Sequence, residues 1–514
     1  MAQNFIGCDR DQSFLMPPDV RDWLAEDHLA WFVMDAVAGL DLSAFYGCYR
    51  RDGVGRRAYD PAMVVALLLY CYARGVRSTR AIERACLEDV PCRVIAMLET
   101  PDHATLARFV ARHEQALGDL FGQVLGLCDQ AGLVGAGMVA VDGTRLAGNT
   151  SRSSNRDFSE IVREILEEAK AVDAAEDELY GQARGDELPE QLRTREGRKE
   201  FFRRAREQRE HAEDQVSVPE PAPVEAAGEP LQFAADQIVA RTQGRAGWVR
   251  EARRQHEQRR WEHPEAIPRG RRERLVMAAE RMEDDLDAQR AGNAAYEAFR
   301  VQGRDTKGRR LGARPKPWSE PRWPDLMVSV SDPDSRHIKA PEGYVQGYNA
   351  QAVVDENQIV LAAEITNSTA DFSQLAPMIA CALSELEGIG ATQRPQLALA
   401  DAQYWNEQHI DQVVADEHMQ VLIPPDSGMR RTPRPGWTGG RYAAMRAALA
   451  SPAGKELYAK RKQIIEPVFA HTKHNRHIRR FLRRGRSAVR TEWRLVMATH
   501  NLTKLHRHQT ALIA

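Results

Sequence analysis

Along the first 130 or so positions, apolar residues recur at intervals of three and four, the spacing of helices packed on one face. Asp60-Pro61 is a capping carboxylate followed by proline at the first helical position, and the helix it opens runs through VVALLLYCYA to Gly75. Ser78 caps a second helix, STRAIERACL. Thr100-Pro101-Asp102 introduces a third, HATLARFVARHEQAL. On that third helix Leu106, Phe109, Val110 and Leu117 form an apolar stripe, while Thr105, Arg108 and Arg112 lie on another face. Two arrangements fit: a helix-turn-helix whose third helix reads DNA, or a plain helical bundle with surface arginines.

The pattern then changes. MVAVD, residues 138–142, is a short apolar run before Gly143-Thr144, the mark of a buried strand ending at a carboxylate. From about Arg152 to Pro321 the chain is highly charged, helix-prone and poor in apolar positions. It holds EIVREILEEAKAVDAAEDEL, the proline- and acid-rich VSVPEPAPVEAAGEP and a basic stretch from Arg250 to Arg274. This predicts helical hairpins or arms joined by a disordered linker. Regular structure resumes with YNAQAVVDENQIVLAAEIT, two strands around Asp355-Glu356-Asn357. A helix follows from Asp371, where capping accounts for the carboxylate. LALAD (397–401) is another buried strand ending in aspartate. A helix (NEQHIDQVVADEH), a strand (QVLIPP), a Gly/Pro loop and a helix carrying Glu466 complete the chain.

Without the charged segment the order is strand, strand, strand, helix, strand, helix, strand, helix. That is the order of a ribonuclease-H-like α/β core, a mixed sheet flanked by helices. The expected organisation is an all-α domain over residues 1–130, a core from 131–151 and 322–514, and a charged helical insertion over 152–321. The match is topological, and a fold alone does not fix a function.

The length of 514 residues suits two or three domains. A net charge of −2 says nothing about nucleic acid, but its distribution does. Between Lys473 and Arg507 eleven Lys and Arg residues face a single acid, Glu492. Such a run is the electrostatic footprint of a phosphate-backbone contact. Seven cysteines, an odd number without a C-x-x-C pair, fit a reduced cytoplasmic protein. The longest apolar run, Ala62 to Ala73, is too short to span a bilayer, so no membrane is expected.

Asp142 and Asp401 end two apolar strands that neighbour each other in this topology, so both carboxylates emerge at one edge. Glu466 arrives from a later helix. Converging carboxylates repel and raise each other's pKa. A pair of Mg²⁺ ions, or Mn²⁺ in its place, removes that conflict and clamps the attacking and leaving oxygens of a phosphoryl transfer. An aspartate after a strand is more often a cap, so either residue alone is weak and the pair carries the argument.

VDGT, ADAQYW and YAKRKQIIEPVFAHTKHNRHIRRFLRRG together resemble the DDE transposases of bacterial insertion sequences, the group with a Tyr–Arg–Glu–Lys signature. The likeness extends over DPDSRHIKAPEGYVQGYNAQAVVDENQIV and the N-terminal helices. It implies that Asp142, Asp401 and Glu466 are the three catalytic, metal-holding acids, and that Tyr458, Arg461 and Lys473 are the remaining signature residues. One departure matters. The signature leaves three residues between arginine and glutamate, and here Arg461 and Glu466 leave four. Lys462 stands at the expected spacing and shares a helical face with Glu466 and Lys473, so the cation beside Glu466 is either Lys462 or Arg461. Pro467 predicts a kink or a helix restart. Trp405 is a core residue or a platform for a flipped base.

The resemblance implies an enzyme that binds the terminal inverted repeats of its mobile element, cuts there and joins the ends to target DNA. DNA contacts are expected from Arg108 and Arg112 in the N-terminal helices, from Tyr458, Arg461, Lys462 and Lys473, and from Arg476 and Arg480 in the basic tail. Holding two DNA ends implies a homodimer or larger assembly. The rival readings are a nuclease of the same fold without strand transfer, and a non-enzymatic DNA-binding descendant of a transposase.

Overall fold

A computed structural model describes residues 19–49, 57–135, 137–180, 238, 240, 243–262, 265–304 and 310–513, the last span without 314, 322, 341–342, 367, 427–431, 435–436 and 438. The N-terminal helices are α1 (Leu29–Ala38), α2 (Ser43–Tyr46), α3 (Pro61–Ala73), α4 (Thr79–Glu88), α5 (Val90–Ile95), α6 (His103–Arg112) and α7 (Glu114–Gln130). Asp60 caps α3 with Pro61 at its first turn, and Asp102 caps α6 by accepting from the Thr105 N–H at 2.9 Å. The expected third helix breaks at His113, whose ring packs among Phe45, Tyr49 and Phe109. Every residue of α3 from Val64 to Tyr72 is buried, the sign of a helix inside a core rather than on a surface.

The charged central segment contributes α8 (Phe158–Tyr180), α9 (Arg245–Glu262) and α10 (Arg271–Val301), flanked by two-residue strands β2 (Asn155–Arg156) and β3 (Val328–Ser329). These helices belong to a unit of their own, residues 156–263 and 268–330. Its apolar positions are few but gathered: Phe158 and Ile161 meet Leu275 and Met282, and Trp248 meets Tyr296 and Phe299. Ion pairs such as Arg253–Asp285 at 2.6 Å join α9 to α10. The expected linker, VSVPEPAPVEAAGEP, lies outside the described residues.

The other unit comprises residues 1–155, 264–267 and 331–514. Its sheet uses β1 (Met138–Ala147), β4 (Arg336–Ala340), β5 (Gly343–Asp355), β6 (Val360–Thr366), β7 (Leu397–Ala400) and β8 (Gln420–Leu422). The order is β4-β5-β1-β7-β8, with β6 also on β5. β1 is antiparallel to β5 and parallel to β7, and β8 is parallel to β7. The β5–β6 hairpin forms where expected. Asp355 braces it, accepting from the N–H groups of Asn357, Ile359 and Gly135. The remaining helices are α11 (Leu375–Gly388), α12 (Glu407–Asp416), α13 (Gly440–Ala450), α14 (Pro452–Ala470) and α15 (Arg486–Ile513).

Two expectations are corrected. The N-terminal helices do not form a separate domain. α3, α7 and α15 share one continuous apolar core with the sheet, and Arg77 after α3 forms a buried ion pair with Glu492 of α15. Nor does Pro467 restart its helix. α14 runs through it to Ala470 and ends in a π-helical turn, His471–Asn475. The proline removes the donor that would serve the Gln463 carbonyl. The side chain of Gln358, held at φ 64° at the tip of the β5–β6 hairpin, donates there instead at 2.9 Å.

Candidate active site

The parallel ladder between β1 and β7 runs from Met138↔Leu397 to Val141↔Ala400 and stops. The next residue on each strand is an aspartate, Asp142 or Asp401. β1 continues to Ala147, so Asp142 stands inside its strand rather than at its end, at the level where the neighbouring strand gives out. Asp401 leaves β7 as the cap of a 3-10 turn and accepts from the Gln403 N–H at 2.8 Å.

Asp142 accepts from the Gly143 N–H at 2.8 Å through one oxygen and from Arg461 at 2.9 Å through the other. Arg461 comes from α14, is 9% exposed and lies over the Tyr458 ring at 5.9 Å. Burial lifts the Asp142 carboxyl to about 6. Arg461 opposes that rise, and the charges of Asp401 and Asp371 add to it. Burial raises Asp401 as well, with Asp371 again contributing. Two carboxylates held side by side at an electrostatic cost, with oxygen lone pairs still available, fit a hard divalent cation. Among the described residues no three His, Cys, Asp or Glu side chains close on one point suited to a metal. The folded chain brings together a pair.

Glu466 is exposed on α14, whose buried positions include Arg461, Ile464, Ile465 and Val468, and it does not complete a three-acid cluster with that pair among the described residues. Five residues on an ideal helix turn through about 140°, which separates Glu466 from the face that meets Asp142. The same turn decides between the two cations. Arg461, whose role the spacing put in doubt, enters the site, and Lys462 is exposed.

The basic residues divide. Arg108 and Arg112 are exposed on α6, and Arg480 is exposed beside the end of β1, where Phe481 donates to the Ala147 carbonyl. Lys473 is half-buried in the π turn. Arg476 corrects the expectation of a DNA contact. Its guanidinium is buried and donates to the Val496 carbonyl, Thr499 and Thr472, and burial lowers it to about 9. Gly75, at φ 81°, makes room for it, since a Cβ there would stand 2.4 Å from the Arg476 carbonyl oxygen. Other cations of the tail are internal counter-charges: Arg490 pairs with Glu364 and Arg494 with Glu385. Trp405 is a core residue, edge-on to Tyr442.

A further network lies against the strands that carry the pair. Capping accounts for Asp371 in the sequence, but in the fold its carboxylate accepts from Asn349 at 2.7 Å, Gln351 at 2.8 Å and Arg145 at 2.8 Å. The available signal was two amide side chains, Asn349 and Gln351, at alternate positions of a strand whose neighbours there, Ala350 and Ala352, are small and apolar. Gly143 passes between them. A Cβ there would lie 2.2 Å from the Gln351 side-chain nitrogen and 2.9 Å from Asp371.

Residues 18–112 match the family described as a transposase domain (DUF772). Residues 427–506 match the transposase DDE domain, a span that includes Tyr458, Arg461, Lys462, Glu466 and Lys473. No curated protein and no solved structure matches the chain. The chain thus carries transposase domains towards both ends, and its DDE domain marks it as a metal-dependent phosphoryl-transfer enzyme of DNA transposition.

Proposed function

We propose that this protein binds the terminal inverted repeats of a mobile element of the insertion-sequence kind, cleaves there and transfers the freed 3′ ends to target DNA. The observation that carries the reading is the register of β1 and β7, which ends in two adjacent aspartates faced by Arg461. The strand order, with β5 and β7 on either side of β1 and β6 beyond β5, supports a ribonuclease-H-like core. Asp142 and Asp401 are the proposed holders of two Mg²⁺ ions, or Mn²⁺. Glu466 is the proposed third acid, supported by its place in the signature. Such ions, when bound, activate a water or 3′-hydroxyl and offset charge on the phosphate. Arg461 holds Asp142 in place. Arg108, Arg112, Lys473 and Arg480 supply phosphate contacts. Two ends held at once call for a homodimer or larger assembly on DNA, and a cytoplasmic location follows. No described helix is long and apolar enough to cross a membrane.

The test is Asp401→Asn in the full chain. Cleavage of a labelled element end should fall by at least about a thousandfold, ~4 kcal/mol of transition-state stabilisation, while binding of the same DNA is unchanged. Normal cutting by the variant would remove Asp401 from the site. Supplying pre-cut ends separates a transposase, which joins them, from a nuclease, which does not.

A further inference from the structure

Asp371 is 2% exposed, and both its oxygens accept hydrogen bonds inside the protein. One oxygen takes Asn349 and Gln351, both from β5, and the other takes Arg145 from β1. The same Arg145 nitrogen reaches the Gln403 side-chain oxygen at 3.2 Å. The Tyr404 hydroxyl donates to the side-chain oxygen of Gln351. Gln403 and Tyr404 are the second and third residues after Asp401. Asp371 therefore ties three pieces together: the strand of Asp142, its antiparallel neighbour, and the turn that carries Asp401.

The faces of the sheet clarify the arrangement. Side chains alternate along a strand, so Gly143 and Arg145 lie on the side opposite Asp142. Gly143 pairs with Gln351 and Arg145 with Asn349 across the ladder, which puts the network on that opposite side. A carboxylate already satisfied by three donors is poorly placed to bind a metal itself. It is well placed to fix the strand and the turn that carry the groups that do, and outer-shell partners of a metal site typically cost about 10- to 100-fold in affinity when changed.

We propose that Asp371 is a positioning residue of the phosphoryl-transfer site: it locks the turn bearing Asp401 to the strand bearing Asp142 and so sets the spacing at which the two carboxylates meet a divalent ion. The inference rests on the reading that Asp142 and Asp401 hold that ion.

Mn²⁺ binding to the full-length protein, followed by the loss of the free-ion paramagnetic signal, tests it. Asp371→Asn keeps the shape and removes the charge that organises Arg145 and the two amides. It should raise the Mn²⁺ dissociation constant by about 10- to 100-fold, with the number of sites per chain unchanged. A merely structural defect lowers the number of competent sites and leaves their affinity alone. Gln403→Ala removes only the exposed arm of the network and should raise the constant several-fold; it decides the matter if Asp371→Asn fails to fold. Asp371→Glu, which restores the charge, should recover part of the loss. Asp142→Asn serves as the control. If it loses Mn²⁺ while folded Asp371→Asn and Gln403→Ala bind within about twofold of the parent, the positioning role is overturned. If Asp142→Asn also binds Mn²⁺ like the parent, the assignment of the metal pair is what fails.

Discussion

Asp142 carries a pH signature that can be worked out from its surroundings. Its carboxyl sits at about 6 in the folded chain against 3.8 for the free group, because burial outweighs the nearby Arg461. The unfolded chain therefore ionises first as pH rises. Native stability, undiminished by this group below pH 3.8, falls between about 4 and 6 and stays lower above, by at most about 3 kcal/mol. Metal-free Asp142→Asn should match the parent in thermal unfolding near pH 4 and melt higher at pH 7. A metal binds the ionised form, so Mn²⁺ affinity should climb roughly tenfold per pH unit below 6 and level off above it. Arg476 and Arg480, alike in sequence, should part company in the same spirit. Arg476→Ala removes a buried guanidinium with several acceptors and should lower the urea midpoint while leaving the DNA affinity of the folded protein alone. Arg480→Ala should leave stability alone, weaken DNA binding and reduce the salt slope by about one.

Among the elements, α14 carries the largest difference between expectation and structure. The run YAKRKQIIEPVFA predicted a helix bearing Glu466, and a helix is there. What spacing could not supply was its rotation. Ile464, Ile465 and Val468 turn one face into the core, and Arg461 goes with them, so Glu466 faces outward. Glu466→Gln puts this to the test in a cleavage assay. A third metal-holding acid predicts a loss comparable to that of Asp401→Asn; near-parental cutting would limit the acids to the pair the strands bring together. Asp142 and Asp401 were legible because a short apolar run that reaches a carboxylate leaves a local trace. Asp371 was not, because a cap and a buried network member look the same until Asn349, Gln351 and Arg145 are placed around it.

Across the unit that holds the sheet, the N-terminal helices and the last helix are bound by charge as well as by apolar packing. Glu492 is fully buried and accepts from Arg77 and from the N–H groups of Leu482 and Arg483. Glu492→Ala leaves Arg77 as an uncompensated buried charge, at a cost of about 3–5 kcal/mol, read as a lowered urea midpoint of that unit. In the sequence this glutamate was only the single acid in a basic run. Its partner lies more than 400 positions away, and no local pattern announces a contact of that range.

The sequence by itself determined the alternation of helix and strand, the two apolar runs that reach aspartates, and the presence of a charged helical segment between them. Each of these follows from periodicity and capping, which act over a few residues. Tertiary structure alone decided which cations stay exposed and which neutralise buried acids, which side of α14 meets Asp142, and how Asp371 joins the turn of Asp401 to β1. Those outcomes depend on burial and on partners distant in the chain, where a guanidinium or a carboxylate takes its meaning from what surrounds it.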